Sequence, residues 1–217
     1  MGSLALAVFL VVAALASFSV REVQRDGEML AKDTFPGLVN AGEAISRSTE
    51  NWVNMYMLLD SKSESERLKL VNQINRNSTA PIWSRYRRAI YTDEDSRLFK
   101  RVEESRNAFI SARAECFRLV ADGKMEEAKA YFGFKLRPAF ERYRSDAVNI
   151  FFFNAKAGQH RADRLINLAR WTPYALASFC VLVLLTGVFV GFKASLGAFS
   201  SGWTAGSEAQ NRGSPPA

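Results

Sequence analysis

One group of polar residues in this chain has the types and spacing for ligand chemistry. Arg47, Asn51 and Asn54 step by 4 and 3, which puts all three on one face of a helix. A guanidinium presents a planar fork that suits a carboxylate, and two amides beside it can donate and accept. An ordinary solvated arginine is the competing reading of Arg47. Trp52, Met55 and Tyr56 on the same stretch read as packing rather than as a ligand cage.

Catalytic and metal chemistry find no comparable grouping. The single histidine, His160, sits among Gln159, Arg161 and Asp163 and reads as part of a solvated face. No second histidine or paired cysteine stands at metal-ligand spacing, so neither a metal nor a cofactor is expected. The pairs Glu103-Glu104 and Glu126-Glu127 lie among bases on amphipathic stretches, where solvation explains them without acid–base work. Nucleotide-binding loops and a nucleophile elbow are missing. Cys116 and Cys180 fall in different segments and read as small apolar packers, with no disulfide. The net charge of +7 does not point to nucleic acid, because bases and acids interleave; only Arg85-Tyr86-Arg87-Arg88 is a tight cluster, suited to an anionic ligand or partner. The expected protein is not an enzyme.

The elements that position these residues come from two unlike materials. Of 29 Lys and Arg, only Lys193 and Arg212 lie outside residues 21–170, and of 22 Asp and Glu only Glu208 does. The mean hydropathy of −0.11 averages this charged middle with two uncharged stretches. The second stretch, Trp171 to Phe192, has the length and composition of a transmembrane helix, with Trp171 and Tyr174 as interfacial aromatics and Lys193 at its far end. The first, residues 1–20, reads as an uncleaved transmembrane anchor; a signal peptide is the rival, since Ala14-Leu15-Ala16 resembles a cleavage motif. Orientation is open. Bases near the membrane ends favour a cytoplasmic middle, but a domain this large translocates largely regardless of charge.

The middle, residues 21–170, reads as all-α. Leu98, Val102, Ser105, Phe109, Ala112, Cys116 and Leu119 form a 4-3 heptad seam. Leu38, Ile45, Trp52 and Leu59 recur every seven residues, with Ala41, Ser48 and Met55 as partner row. Val71, Ile74, Ser78, Ile82 and Tyr86 share a face, and Leu136, Phe140, Tyr143, Ala147 and Ile150 repeat the rhythm. Ser63 to Glu66 fits a capping box, Thr92 to Asp95 a second helix start, and Asp122-Gly123 a helix end. Pro81 is expected to kink or split the second helix near Ala80, and Pro138 to mark a separate restart of the fourth. Short loops make neighbours antiparallel. The predicted architecture is an antiparallel up-down-up-down four-helix bundle flanked by two transmembrane helices. Its first and last helices continue into the spans. Residues 193–217, rich in Gly, Ser, Ala and Pro, are expected to be a disordered tail.

The stretch DGKMEEAKAYFGFKLRPAFERYRSDAVNIFFFNA, Asp122 to Ala155, resembles the corner between helices three and four in methyl-accepting chemotaxis proteins with a four-helix-bundle ligand-binding domain. LVNAGEAISRSTENWVNMYMLL, with Arg47 at its centre, is similar to their helix one. The likeness covers about residues 2 to 193. It implies a periplasmic homodimer, multi-pass in the inner membrane, that senses a small molecule or a binding protein near the dimer interface and passes a helix displacement through the lipid. It also implies that Arg47 holds a ligand carboxylate, with Asn51 and Asn54 beside it. The chain lacks the family's HAMP linker and methylated coiled coil after the second span. A truncated receptor, a sensor acting through a separate signalling partner in the membrane, and a non-sensing anchored bundle are the readings this leaves.

Overall fold

The computed structural model describes the backbone of residues 2–211 and the side chains of residues 10–14, 16–189, 191 and 192. The chain divides into two units, residues 1–165 and 166–217. Among the described residues there is no strand.

The first unit is the bundle. Helix α1, Gly2–Met29, passes through a five-residue π turn, Leu30–Thr34, into α2, Phe35–Asp60. The return arm is broken in two: α3, Glu64–Arg76, and α4, Ala80–Arg88. Helix α5, Asp93–Ala121, is the third arm. The fourth is α6, Met125–Tyr131, a second π turn, Phe132–Leu136, and α7, Arg137–Asn211. The four heptad rows meet as expected. Ala41, Met55, Ile74, Ile82, Val102, Cys116, Leu136, Ala147 and Ile150 are fully buried, and Phe109, Phe140 and Tyr143 nearly so.

Helix ends follow local chemistry. Ser63 caps α3 by accepting from the Glu66 amide at 3.4 Å, but the reciprocal half of the box is different. The Glu66 carboxylate accepts from the Ser61 hydroxyl at 2.7 Å, tying the end of α2 to the start of α3. Thr92 caps α5 by accepting from the Asp95 amide at 3.1 Å. At the other end of α5, the Gly123 amide donates to the Val120 carbonyl at 3.1 Å and the Lys124 amide to Leu119 at 2.9 Å. This Schellman closure needs Gly123 at φ 72°. An alanine there strains the left-handed backbone, so Gly123→Ala should lower bundle stability by about 1 kcal/mol; denaturant unfolding followed by circular dichroism measures it.

The prolines fall at the expected breaks. The second arm is split, with Pro81 in the first turn of α4 and the break at Asn77–Thr79, just before Ala80. Pro138 marks the restart of the fourth arm, where α7 begins at Arg137, and the π turn before it keeps the backbone helical. Pro138 sits two residues past the second π turn, as Pro36 sits two residues past the first. A proline removes one amide and crowds the carbonyl four residues back. A widened π turn just upstream relieves that crowding, and the helical path goes on. In each turn the residue before proline closes the ring, Phe35 to Leu30 and Arg137 to Phe132.

In the second unit, Val181 to Leu185 are consecutive and all exposed, an apolar surface on every side of the helix. Among the described residues, one helix is long and apolar enough to cross a membrane. Residues 1–20 are helical from Gly2, but the side chains of residues 2–9 lie outside the described set. The helix carries on to Asn211, into the stretch where composition predicts a disordered tail; the last six residues lie outside the described set.

Candidate functional site

The three residues singled out on α2 do different things. Arg47 donates from Nη2 to Glu43 Oε1 at 2.8 Å, and Glu43 Oε2 takes Arg85 Nη2 from α4 at 2.5 Å. Arg85 Nε also reaches Asn40 Oδ1 at 3.1 Å, so Arg47 is one rung of a charge ladder between α2 and α4. Asn51 closes the end of α3. Its Nδ2 donates to the Asn77 carbonyl at 2.9 Å and its Oδ1 accepts from Asn77 Nδ2 at 3.2 Å. Asn54 is buried with no partner for its Nδ2. Helical spacing puts the three on one face; the surrounding helices divide that face among three neighbourhoods.

Where α2 passes the second π turn, the bundle surface forms a better-shaped recess. Trp52 is held between two rings, stacked on Phe132 at 4.6 Å and on Phe140 at 4.2 Å. Phe132 is the first residue of the π turn and Phe140 lies four residues past its end, and both stack on the indole. Next to this stack lies a groove of about 260 Å³ lined by Thr49, Trp52, Tyr56, Arg137, Phe140, Glu141 and Arg144. Arg137 Nη2 donates to the Tyr56 hydroxyl at 3.1 Å, and its guanidinium lies 6.0 Å from the Phe132 ring centroid. Arg144 stands one heptad further along α7. The groove therefore combines an aromatic wall with two guanidiniums and the Glu141 carboxylate. Sequence reasoning found Trp52 and Tyr56 but assigned them to packing. The arginines were hidden within the restart motif around Pro138.

Another polar cluster lies deep in the bundle. The Tyr86 hydroxyl donates to Asp95 Oδ1 at 2.6 Å, and Asn154 Nδ2 donates to the Tyr86 oxygen at 2.6 Å and to the Ile150 carbonyl at 3.0 Å. Burial raises the Asp95 carboxyl to about 6; the Tyr86 hydrogen bond opposes this and the charge of Asp33 adds to it. Burial likewise pushes the Tyr86 phenol well above its ordinary value. Asp33 itself pairs with Arg161 at 3.0 Å, and Arg161 also reaches Thr34. Burial holds the Cys116 thiol up at about 11, so it is a packing group and not a nucleophile. His160 is exposed, as its polar neighbours suggest. No group of three or more metal-ligating side chains occurs among the described residues.

The family described as a four helix bundle sensory module for signal transduction matches residues 1–167. No curated protein matches the chain.

Proposed function

The chain belongs to the four helix bundle sensory modules for signal transduction, and we propose that it is a membrane-bound sensory receptor domain of the chemoreceptor type. Its bundle faces the extracytoplasmic side, both apolar stretches cross the lipid, and two copies pair. A small carboxylated molecule binds and shifts the first and last helices against each other. The observation that carries this reading is the position of the groove. It lies between α2 and α7, the helices whose chains lead to the two apolar stretches, so an occupant that prefers one spacing of them biases their ends.

Arg137 is engaged with Tyr56, whereas Arg144 lines the groove with no ion pair among the described residues, so Arg144 is the proposed primary contact for the ligand's carboxylate. Arg47, with Asn51 and Asn54, is the alternative contact, reached if the ligand displaces Glu43. The test is a screen of small carboxylates against the full chain in detergent, read as a saturable rise in unfolding temperature. Arg144→Gln should weaken that rise at least tenfold in concentration, the loss of one charge-assisted bond of about 1.5–3 kcal/mol. If Arg47→Ala abolishes the rise and Arg144→Gln leaves it intact, the α2 ladder is the site instead. Protease protection in spheroplasts checks the orientation.

A further inference from the structure

Eleven of the bundle's lysines and arginines have a carboxylate partner among the described residues. Arg106 and Arg113 do not, although both are partly buried. They lie seven residues apart on α5, hence on one face, and line a small, partly open cavity with Ser48, Asn51, Ser78, Thr79, Phe109, Ile110 and Tyr143. Its volume is about 30 Å³. Arg106 makes one polar contact, Nε to Thr79 Oγ1 at 3.4 Å. Arg113 lies over two rings, 5.7 Å from the centroids of both Phe109 and Phe117. Burial lowers the affinity of both guanidiniums for their protons, and the charge of Arg106 adds to the effect on Arg113. Tyr143 offers no negative charge, because its own burial raises the phenol above its ordinary value.

Two like charges taken partly out of water, facing hydroxyls and an amide, lack a counter-ion. We propose that this cavity is a binding site for a small anion, of chloride to carboxylate-head-group size, held by Arg106 and Arg113. The Ser78 and Thr79 hydroxyls, which accept from the Ala80 amide and from Arg106 and keep their own protons to donate, complete the donor set; arginine alone brings several donors and no acceptor. The lining comes from α2, the α3–α4 turn, α5 and α7, so one bound anion ties all four arms of the bundle together. The site is separate from the α2–α7 groove and does not depend on that groove's having a ligand. Its size selects: a bulky anion does not enter.

Thermal unfolding of the full chain in detergent tests this, at fixed ionic strength, with a bulky sulfonate buffer salt as reference. Replacing the sulfonate with chloride or acetate should raise the midpoint saturably, by about 5–10 °C at a hundredfold excess over the dissociation constant. Acetate without chloride assigns the cavity to carboxylates; both together assign it to small anions in general. Arg113→Gln and Arg106→Gln should each remove the anion response. In the sulfonate reference they should unfold at or above the parent's temperature, since each removes an uncompensated charge. A purely structural arginine gives the reverse, a lower midpoint in every salt with the response intact. That pattern, or no saturable response in the parent, overturns the proposal.

Discussion

Gly37→Ala is expected to destabilise the bundle by about 3 kcal/mol, far more than a glycine-to-alanine change inside a helix ordinarily does. Alanine there improves helix propensity, so propensity alone predicts the opposite sign. The space decides it. A Cβ at position 37 would lie 2.7 Å from Asn154 Cγ, a separation that side-chain carbons do not tolerate. Asn154 is the end of a short side chain, but it is not free to swing. Its Nδ2 is committed to Tyr86 Oη and the Ile150 carbonyl, and the residue is only 1% exposed. Moving it strands buried polar atoms; leaving it forces α2 away from α7. Either route is expensive. A second close approach repeats this one: a Cβ at Gly158 would stand 2.7 Å from Thr34 Cγ2. Gly27 is the internal control, with nothing within 4 Å of its virtual Cβ. Denaturant titration of the three alanine variants should rank 37 well below the parent and 27 at or above it. Equal stabilities for 27 and 37 would show that the helices part without cost.

That tight contact between α2 and α7 was not legible in the residues, whereas the bundle was. The 4-3 rows work because each arm must bury one stripe, and period alone identifies the stripe: Val102, Phe109, Cys116 and Leu119 are inside as their spacing requires. Caps were legible for the same local reason. Thr92 and Gly123 act within three residues of themselves. What lay beyond reach depends on partners distant in sequence. Pro36 and Pro138 look like breaks, and nothing local says that a π turn will absorb each of them. Arg106 and Arg113 look like solvated arginines on the flank of the α5 seam. Their only clue is that the seam residues beside them, Ser105 and Ala112, are small and leave room for a guanidinium to lie inward. Arg47, by contrast, sits on the expected helix and takes a local partner, Glu43 four residues before it; what sequence does not show is that Arg85 of α4 takes the other oxygen of that carboxylate.

The buried Asp95 gives the other large effect, and its sign runs against the usual acid denaturation. Most carboxylates in folded proteins are stabilised as anions, so acid weakens the fold. Asp95 is 2% exposed, and burial raises its native value from an ordinary 3.8 to about 6. The native state then holds this proton more tightly than the unfolded chain. Its contribution is fully present below about pH 4 and is lost as pH rises through 6, at a slope near 1.4 kcal/mol per pH unit between those limits. At neutral pH the ionised form costs about 3 kcal/mol relative to acid. Asp95→Asn keeps an acceptor for the Tyr86 hydroxyl at 2.6 Å and removes the titration. The interaction of an ionised Asp95 with the first turn of α5 is already contained in its raised value, because the charge exists only above that value. The difference in stability between variant and parent should therefore climb by about 3 kcal/mol from pH 4 to pH 7, whatever its starting offset. Urea unfolding of both proteins at pH 4, 5, 6 and 7 measures this, because any pH-independent effect of the substitution shifts the whole curve and the proton linkage tilts it. Parallel curves would mean that Asp95 is already solvated when ionised, and that the Tyr86–Asp95 pair opens to water rather than staying shut.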